Sequence, residues 1–285
     1  ALRHLLVVPD AGSQQVAVML SAVLGVALTS ALTADQMTLW GWRVPILIGC
    51  LIIPVVFWLR RTLPETEAFL HSKPPTETRE VLRILGANWQ IVAIGVMMSI
   101  LTTTTFYTIT VYTPTFGTRA LGLQPVEAML VTLCAGLSNL FWLPIGGALS
   151  DRFGRRPQLF IIPIVALLTA YAAMSWLVEA PSFLKLLLVV LWFSMIFGLY
   201  NGAMIPLLAE IMPQKVRTTG FALAFVTATA IFGGFTPTIN TALIEFTGNL
   251  AAPALWVSLA AAISLTGALL SRRLSTTPGL QPAMA

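Results

Sequence analysis

In a chain whose charged residues are only 9% of the total, the stretch Gly147-Ala148-Leu149-Ser150-Asp151-Arg152-Phe153-Gly154-Arg155-Arg156 gathers one carboxylate and three guanidinium groups. The chemistry open to it is ion pairing and capping: Asp151 can accept from free backbone N–H groups at a helix start or pair with an arginine of another loop. A second acid and base, Glu210 and Arg217, stand seven residues apart, and Glu65 follows another apolar run. A third set is polar but uncharged: Gln14, Gln15, Thr103, Tyr107, Asn139, Tyr200 and Asn201. No nucleophile–base pair, metal cluster or phosphate-binding glycine loop accompanies them, so the pattern is not that of an enzyme and asks for no cofactor. These groups bind and pair rather than break bonds.

The elements that must position them are helices in a bilayer. Hydrophobic residues make up 57% of the 285, with a mean hydropathy of +0.86, far more apolar surface than a soluble domain of this length needs. A window of roughly 20 apolar residues finds eight spans, about 12–33, 44–59, 89–111, 127–149, 159–178, 183–207, 219–245 and 253–271. The second carries Pro45 and Pro54 and is short enough to begin inside the loop before it. A net charge of +5 would fit nucleic acid only if the basic groups shared one polar face; here they lie in the gaps between apolar runs, so no nucleic-acid partner is expected. Cys50 and Cys134 fall inside apolar runs and are expected to pack as small hydrophobes.

The gaps also set the orientation. Arg60, Arg61, Lys73, Arg79, Arg83, Arg152, Arg155, Arg156, Lys215, Arg217, Arg272 and Arg273 fall on one side, whereas Arg43, Arg119 and Lys185 fall on the other. The basic side is the inner one, which places both termini in the cytoplasm of a multi-pass inner-membrane protein. Gly154 can take the positive φ of a sharp reversal, and Gly147, without a Cβ, can admit a neighbouring helix. Thr76 to Leu85, in the long polar loop, reads as a short amphipathic helix at the interface.

The order G-x-L-x-D-R-x-G-R-R at 147–156 resembles the signature loop of the major facilitator superfamily. Pro64-Glu65-Thr66 after the second span, Trp40-Gly41-Trp42-Arg43-Val44-Pro45 ahead of it, and Glu210 with Arg217 after the sixth are similar to the metabolite:proton symporter family within it. The resemblance implies an all-α membrane protein, a major facilitator-type helical bundle whose eight transmembrane helices are equivalent to helices 5–12 of twelve, with the first four missing. It divides the chain into a leading stretch 1–11 outside the family pattern or disordered, the last two helices of the N-terminal bundle at 12–59, a central cytoplasmic loop at 60–88, a C-terminal six-helix bundle at 89–273, and a cytoplasmic tail at 274–285. It also implies an inner gate built from Glu65, Gly147, Asp151, Arg152, Gly154, Arg155, Arg156, Glu210 and Arg217, locked when the carrier faces outward. Neutralising Asp151 would then bias the carrier inward.

Polar groups at membrane depth are the substrate candidates, because each costs free energy unless satisfied. Gln14 and Gln15 begin the first span, where related sugar carriers use a glutamine on substrate. Thr103 and Tyr107 share a helix face in Thr102-Thr103-Thr104-Thr105-Phe106-Tyr107-Thr108, with Thr104 and Thr108 beside it. Threonine hydroxyls also bond their own backbone carbonyls, and Gly198-Leu199-Tyr200-Asn201-Gly202 reads equally as a close-packing seam. Gly233, Gly234 and Pro237 mark a kink or a gating hinge. No Asp, Glu or His falls in the middle of a span, so the proton-binding group expected of a symporter is assigned to the absent first half.

Phe232-Gly233-Gly234-Phe235-Thr236-Pro237 and Gln14-Gln15 look most like the citrate and tricarballylate symporters. The expectation is proton-coupled symport of a small organic acid by alternating access, with this chain an incomplete carrier and its oligomeric state unspecified. A carrier of shikimate, a dicarboxylate or betaine, or a non-transporting remnant or membrane binding partner, are the alternatives.

Overall fold

A computed structural model describes residues 7–62 and 78–274, and the described residues are helical, with no strand among them. Glu65 and the Pro64-Glu65-Thr66 motif lie outside the described residues. The helices are α1 (Val7–Ala31), α2 (Met37–Leu59), α3 (Thr78–Ala87), α4 (Trp89–Ala120), α5 (Pro125–Phe153), α6 (Arg155–Glu179), α7 (Phe183–Ile211), α8 (Arg217–Thr247) and α9 (Pro253–Leu274). All but α3 contain a stretch long and apolar enough to cross a bilayer. α1 begins at Val7, inside the stretch expected to be outside the family pattern or disordered, and a helical turn over Ala34–Gln36 runs into α2, whose π-turn over Met37–Gly41 precedes Pro45.

α4 lies at the centre, packed by α7, α8 and α9, and α5 lies between α1 and α7. Within its most apolar window α4 is 67% buried and α2 is 0% buried, so the core forms around α4 and α7 while α2 presents its apolar side chains outward. Met98, Leu101, Ile196, Tyr200, Met204 and Leu208 fill that core. α3 is the amphipathic helix expected near that position; its Leu85 is buried beside Gly220.

The α5/α7 crossing is set by glycine. A Cβ at Gly146 would lie 2.5 Å from the carbonyl oxygen of Gly198, and one at Gly202 would overlap the backbone of Gly146 and Gly147. The two backbones therefore touch, as small residues allow in a membrane interface. Gln158 of α6 crosses the same point, donating from Nε2 to the Gly146 carbonyl at 3.1 Å and to that of Leu199. Gly147 itself faces open space. The close approach expected at Gly147 thus occurs at Gly146, because one residue turns the helix by about 100°.

Side chains also enter the α4 backbone. Ser264 of α9 accepts from the Leu101 N–H at 2.9 Å and donates to the Met97 carbonyl at 2.8 Å, the two groups that pair in an uninterrupted helical turn. The Tyr200 hydroxyl donates to the next carbonyl, Met98, at 2.9 Å. Beyond Tyr107 the helix widens into π-turns over Thr108–Tyr112 and Phe116–Ala120, and α8 carries another over Thr229–Gly233.

Candidate functional site

Three helices place residues of i, i+4 spacing around one cavity of about 620 Å³. α7 contributes Phe197, Asn201, Ile205 and Ala209; α8 contributes Arg217, Phe221, Phe225 and Thr229. This spacing follows from the helical repeat: residues four apart stack on one face, and twelve residues carry that face roughly 18 Å along the axis. α4 closes the deep end with Thr102, Thr103, Phe106 and Tyr107, and α1 lends Ser13 and Gln14. Phe106 packs against Phe197 with ring centroids 5.6 Å apart and against Tyr107 at 5.8 Å.

The cavity is graded in character. Arg217, at the end where α8 begins, is the charged residue of the described lining, and it is exposed. The deep end is neutral and polar. Asn201 is 5% exposed with its Oδ1 unpartnered, and the Thr102 hydroxyl is buried without a partner. Thr103 donates to the Ile100 carbonyl at 3.1 Å. A buried acceptor or hydroxyl without a partner is costly unless a bound group satisfies it. The arrangement suits an anionic or hydroxylated small molecule that enters past a guanidinium and is held by amide and hydroxyl groups.

The substrate candidates read from sequence divide in two. Gln14, Thr103, Tyr107 and Asn201 line this cavity. Gln15, Asn139 and Tyr200 do not. Asn139 Nδ2 donates to Gln15 Oε1 at 2.9 Å, and Ser194 donates to Asn139 Oδ1 at 2.6 Å, while Tyr200 is committed to the Met98 carbonyl. Thr108 bonds the Thr104 carbonyl of its own helix at 2.8 Å.

Among the residues expected to form a gate, Gly154 has φ +87° and joins α5 to α6, a conformation that favours glycine. Arg155, just past it, forms an ion pair with Glu210 at the end of α7. Asp151, Arg152 and Arg156 are exposed, and Arg152 stacks over Phe153. Arg217, also expected in the gate, lines the cavity.

At Gly233 an added Cβ would lie 2.9 Å from the Tyr107 ring, so the missing side chain lets α8 approach the cavity's tyrosine. Gly234 N–H donates to the Thr229 carbonyl at 2.7 Å, a five-residue step, and the helix resumes at Thr236 with Pro237 in its first turn. Sequence reasoning missed Thr102 and the phenylalanines at 106, 197, 221 and 225. For Phe221 and Phe225 the signal was present in the spacing Arg217, Phe221, Phe225, Thr229.

Residues 8–237 match the model of the Major Facilitator Superfamily. The citrate-proton symporter of Klebsiella pneumoniae is 54% identical over 256 residues, which are 90% of this chain and 58% of that protein. The citrate-proton symporter of Salmonella typhi is 51% identical over 267 residues, 93% of this chain and 62% of that protein. The glycine betaine/proline/ectoine/pipecolic acid transporter OusA of Dickeya dadantii is 28% identical over 275 residues, covering 90% and 54%. The crystal structure of a D-xylose-proton symporter superposes with a TM-score of 0.72 at 22% identity, covering 94% of this chain and 63% of that one. The chain thus spans about three fifths of the length of these relatives.

Proposed function

The chain belongs to the major facilitator superfamily, and on that premise we propose that it forms most of the substrate path of a proton-coupled symporter for citrate or a related tricarboxylate. It is a multi-pass membrane protein, and we place it in the cytoplasmic membrane with the Gly147–Arg156 loop and both termini on the inner side, following the asymmetry of its basic residues. α1 and α2 then belong to one bundle, α4 to α9 to the other, and the segment between them is the central loop.

The observation that carries the substrate reading is the 54% identity to a citrate-proton symporter over 90% of this chain, against 28% for the betaine carrier. The cavity supports it. Arg217 offers a planar fork of donors matched to a carboxylate. Asn201, Thr102, Thr103, Tyr107 and Gln14 offer hydrogen bonds for hydroxyl and carboxyl oxygens farther in. Alternating access requires an element with two discrete arrangements, and the Arg155–Glu210 pair, which ties the start of α6 to the end of α7, is the contact that we assign to closing the inner side, with Asp151, Arg152 and Arg156 of the same loop as the further charges available to it. No Asp, Glu or His is in the described lining, so we assign the coupling proton to a group elsewhere in the carrier.

Equilibrium binding of radiolabelled citrate to the purified chain tests the reading. Citrate and tricarballylate displace the label, and glycine betaine and shikimate do not. Displacement by betaine or shikimate at lower concentration than by citrate would move the assignment to that class.

A further inference from the structure

α1 rests on α5 through a seam of unusual composition. A Cβ at Gly25 would lie 3.0 Å from the Met129 sulfur, and one at Gly136 would lie 2.7 Å from Met19 Cγ. The third contact in the same antiparallel register is Gln15 with Asn139. Two of the three are thus methionine side chains seated over glycines. Such contacts are adaptable and non-directional, because thioether chains change rotamer cheaply and glycine offers no ridge. The amide pair is different: it holds only at one register and one rotation of α1.

We infer that Gln15, Asn139 and Ser194 form a polar detent that holds α1 against α5 in the conformation in which the cavity extends to Arg217, and that this contact opens when the carrier changes state. Asn139 and Ser194 are 0% exposed and Gln15 is 1% exposed. Ser194, from α7, fixes the Asn139 amide by donating to its Oδ1, which turns Nδ2 toward Gln15. The trio therefore links α1 to two helices at once.

Two features separate a detent from a permanent staple. Gln15 Nε2 is buried and has no partner, so this conformation leaves one donor unsatisfied and gives the side chain a reason to leave it. Gln14, the next residue, lines the cavity, so any rotation of α1 that breaks the Gln15 contact also redraws the cavity wall. Release of the detent and reshaping of the site are one movement. The inference does not depend on which anion is carried.

The test is a reporter cysteine at Thr218, which lines the cavity beside Arg217, in a Cys50→Ser, Cys134→Ser background, with the full chain in proteoliposomes and an impermeant methanethiosulfonate reagent. Gln15→Leu and Asn139→Leu each lower the labelling rate about tenfold, the population change equivalent to ~1.4 kcal/mol. The double variant does no more than either alone, and Ser194→Ala shifts the rate in the same direction. The exchanged pair Gln15→Asn with Asn139→Gln keeps an amide on each helix and restores the rate. Labelling unchanged in the leucine variants, effects that add in the double variant, or an equal loss of rate at a reporter cysteine at the exposed Phe153 would each overturn the inference, the last by showing that the loss is not specific to the cavity. Loss of citrate binding with these labelling results intact would overturn the substrate assignment and leave the detent standing.

Discussion

Replacing Gly146 by alanine, with Gly147→Ala as its neighbour control, isolates the packing that holds the cavity's helices in place. The new methyl group of Gly146→Ala would sit 2.5 Å from the Gly198 carbonyl and 2.9 Å from Leu199 Cα. Both are backbone atoms, which cannot swing away as a side chain would, so α5 and α7 must separate. Overpacking of this kind costs on the order of 2–3 kcal/mol. Separation also strains the Gln158 bonds to Gly146 and Leu199, about 1 kcal/mol more. Alanine's better helix propensity returns about 1 kcal/mol, leaving roughly 2–3 kcal/mol of destabilisation, or about 5–10 °C in Tm at this size. Gly147→Ala meets open space, keeps the propensity gain, and leaves Tm unchanged or slightly raised. Thermal unfolding of detergent-solubilised protein, followed by thiol-reactive fluorescence, measures both. Equal Tm values for the two variants, or a larger loss at Gly147, would refute the claim that the α5/α7 backbones touch at Gly146.

Three further outcomes follow from the site. Arg217→Gln weakens anion binding about 10–100-fold, the worth of ~1.5–3 kcal/mol for hydrogen bonds to a charged group, and flattens its dependence on ionic strength; Arg217→Lys recovers only part, since an ammonium lacks the fork. Isothermal titration at low and moderate salt reads both effects. Gly233→Ala pushes the Tyr107 ring toward the cavity, so citrate affinity falls several-fold while Tm holds within a few degrees, because a ring can turn where a backbone cannot; binding and melting measured on one preparation separate the two. Tyr200→Phe removes one buried hydrogen bond to the Met98 carbonyl, which keeps a longer one from the Ser264 hydroxyl at 3.4 Å, and lowers stability by about 1 kcal/mol without changing affinity, since Tyr200 stands outside the lining.

The spans were legible because twenty apolar residues in a row have few other meanings. Their ends were less so. α1 starts at Val7 rather than near residue 12, and helical backbone ahead of the second apolar window starts at Ala34, inside the preceding loop as its short window suggests, because helices continue into mixed sequence after the apolar window ends. The family was legible in the turn at 147–156, where spacing and residue type are both restricted; Gly154 takes the positive φ that such a reversal demands. What the sequence hid was rotation. Gln14 and Gln15 are adjacent and chemically identical, yet one faces the cavity and the other faces Asn139, 124 residues away. Arg217 presented itself as a loop charge, and only the assembled α7 and α8 faces bring it to the cavity. The insertion of Ser264 between Met97 and Leu101 left no trace in local pattern, since a serine in a membrane helix ordinarily bonds its own turn.

The central claim is that citrate occupies the space between α4, α7 and α8. The direct measurement is protection of a cysteine at Asn201, at the neutral end of that cavity, from a small maleimide by citrate at graded concentration. Occupancy predicts labelling that slows in step with citrate binding and no slowing with glycine betaine. Unchanged labelling at Asn201→Cys under saturating citrate, with binding still measured on the same preparation, would place the anion elsewhere and contradict the account.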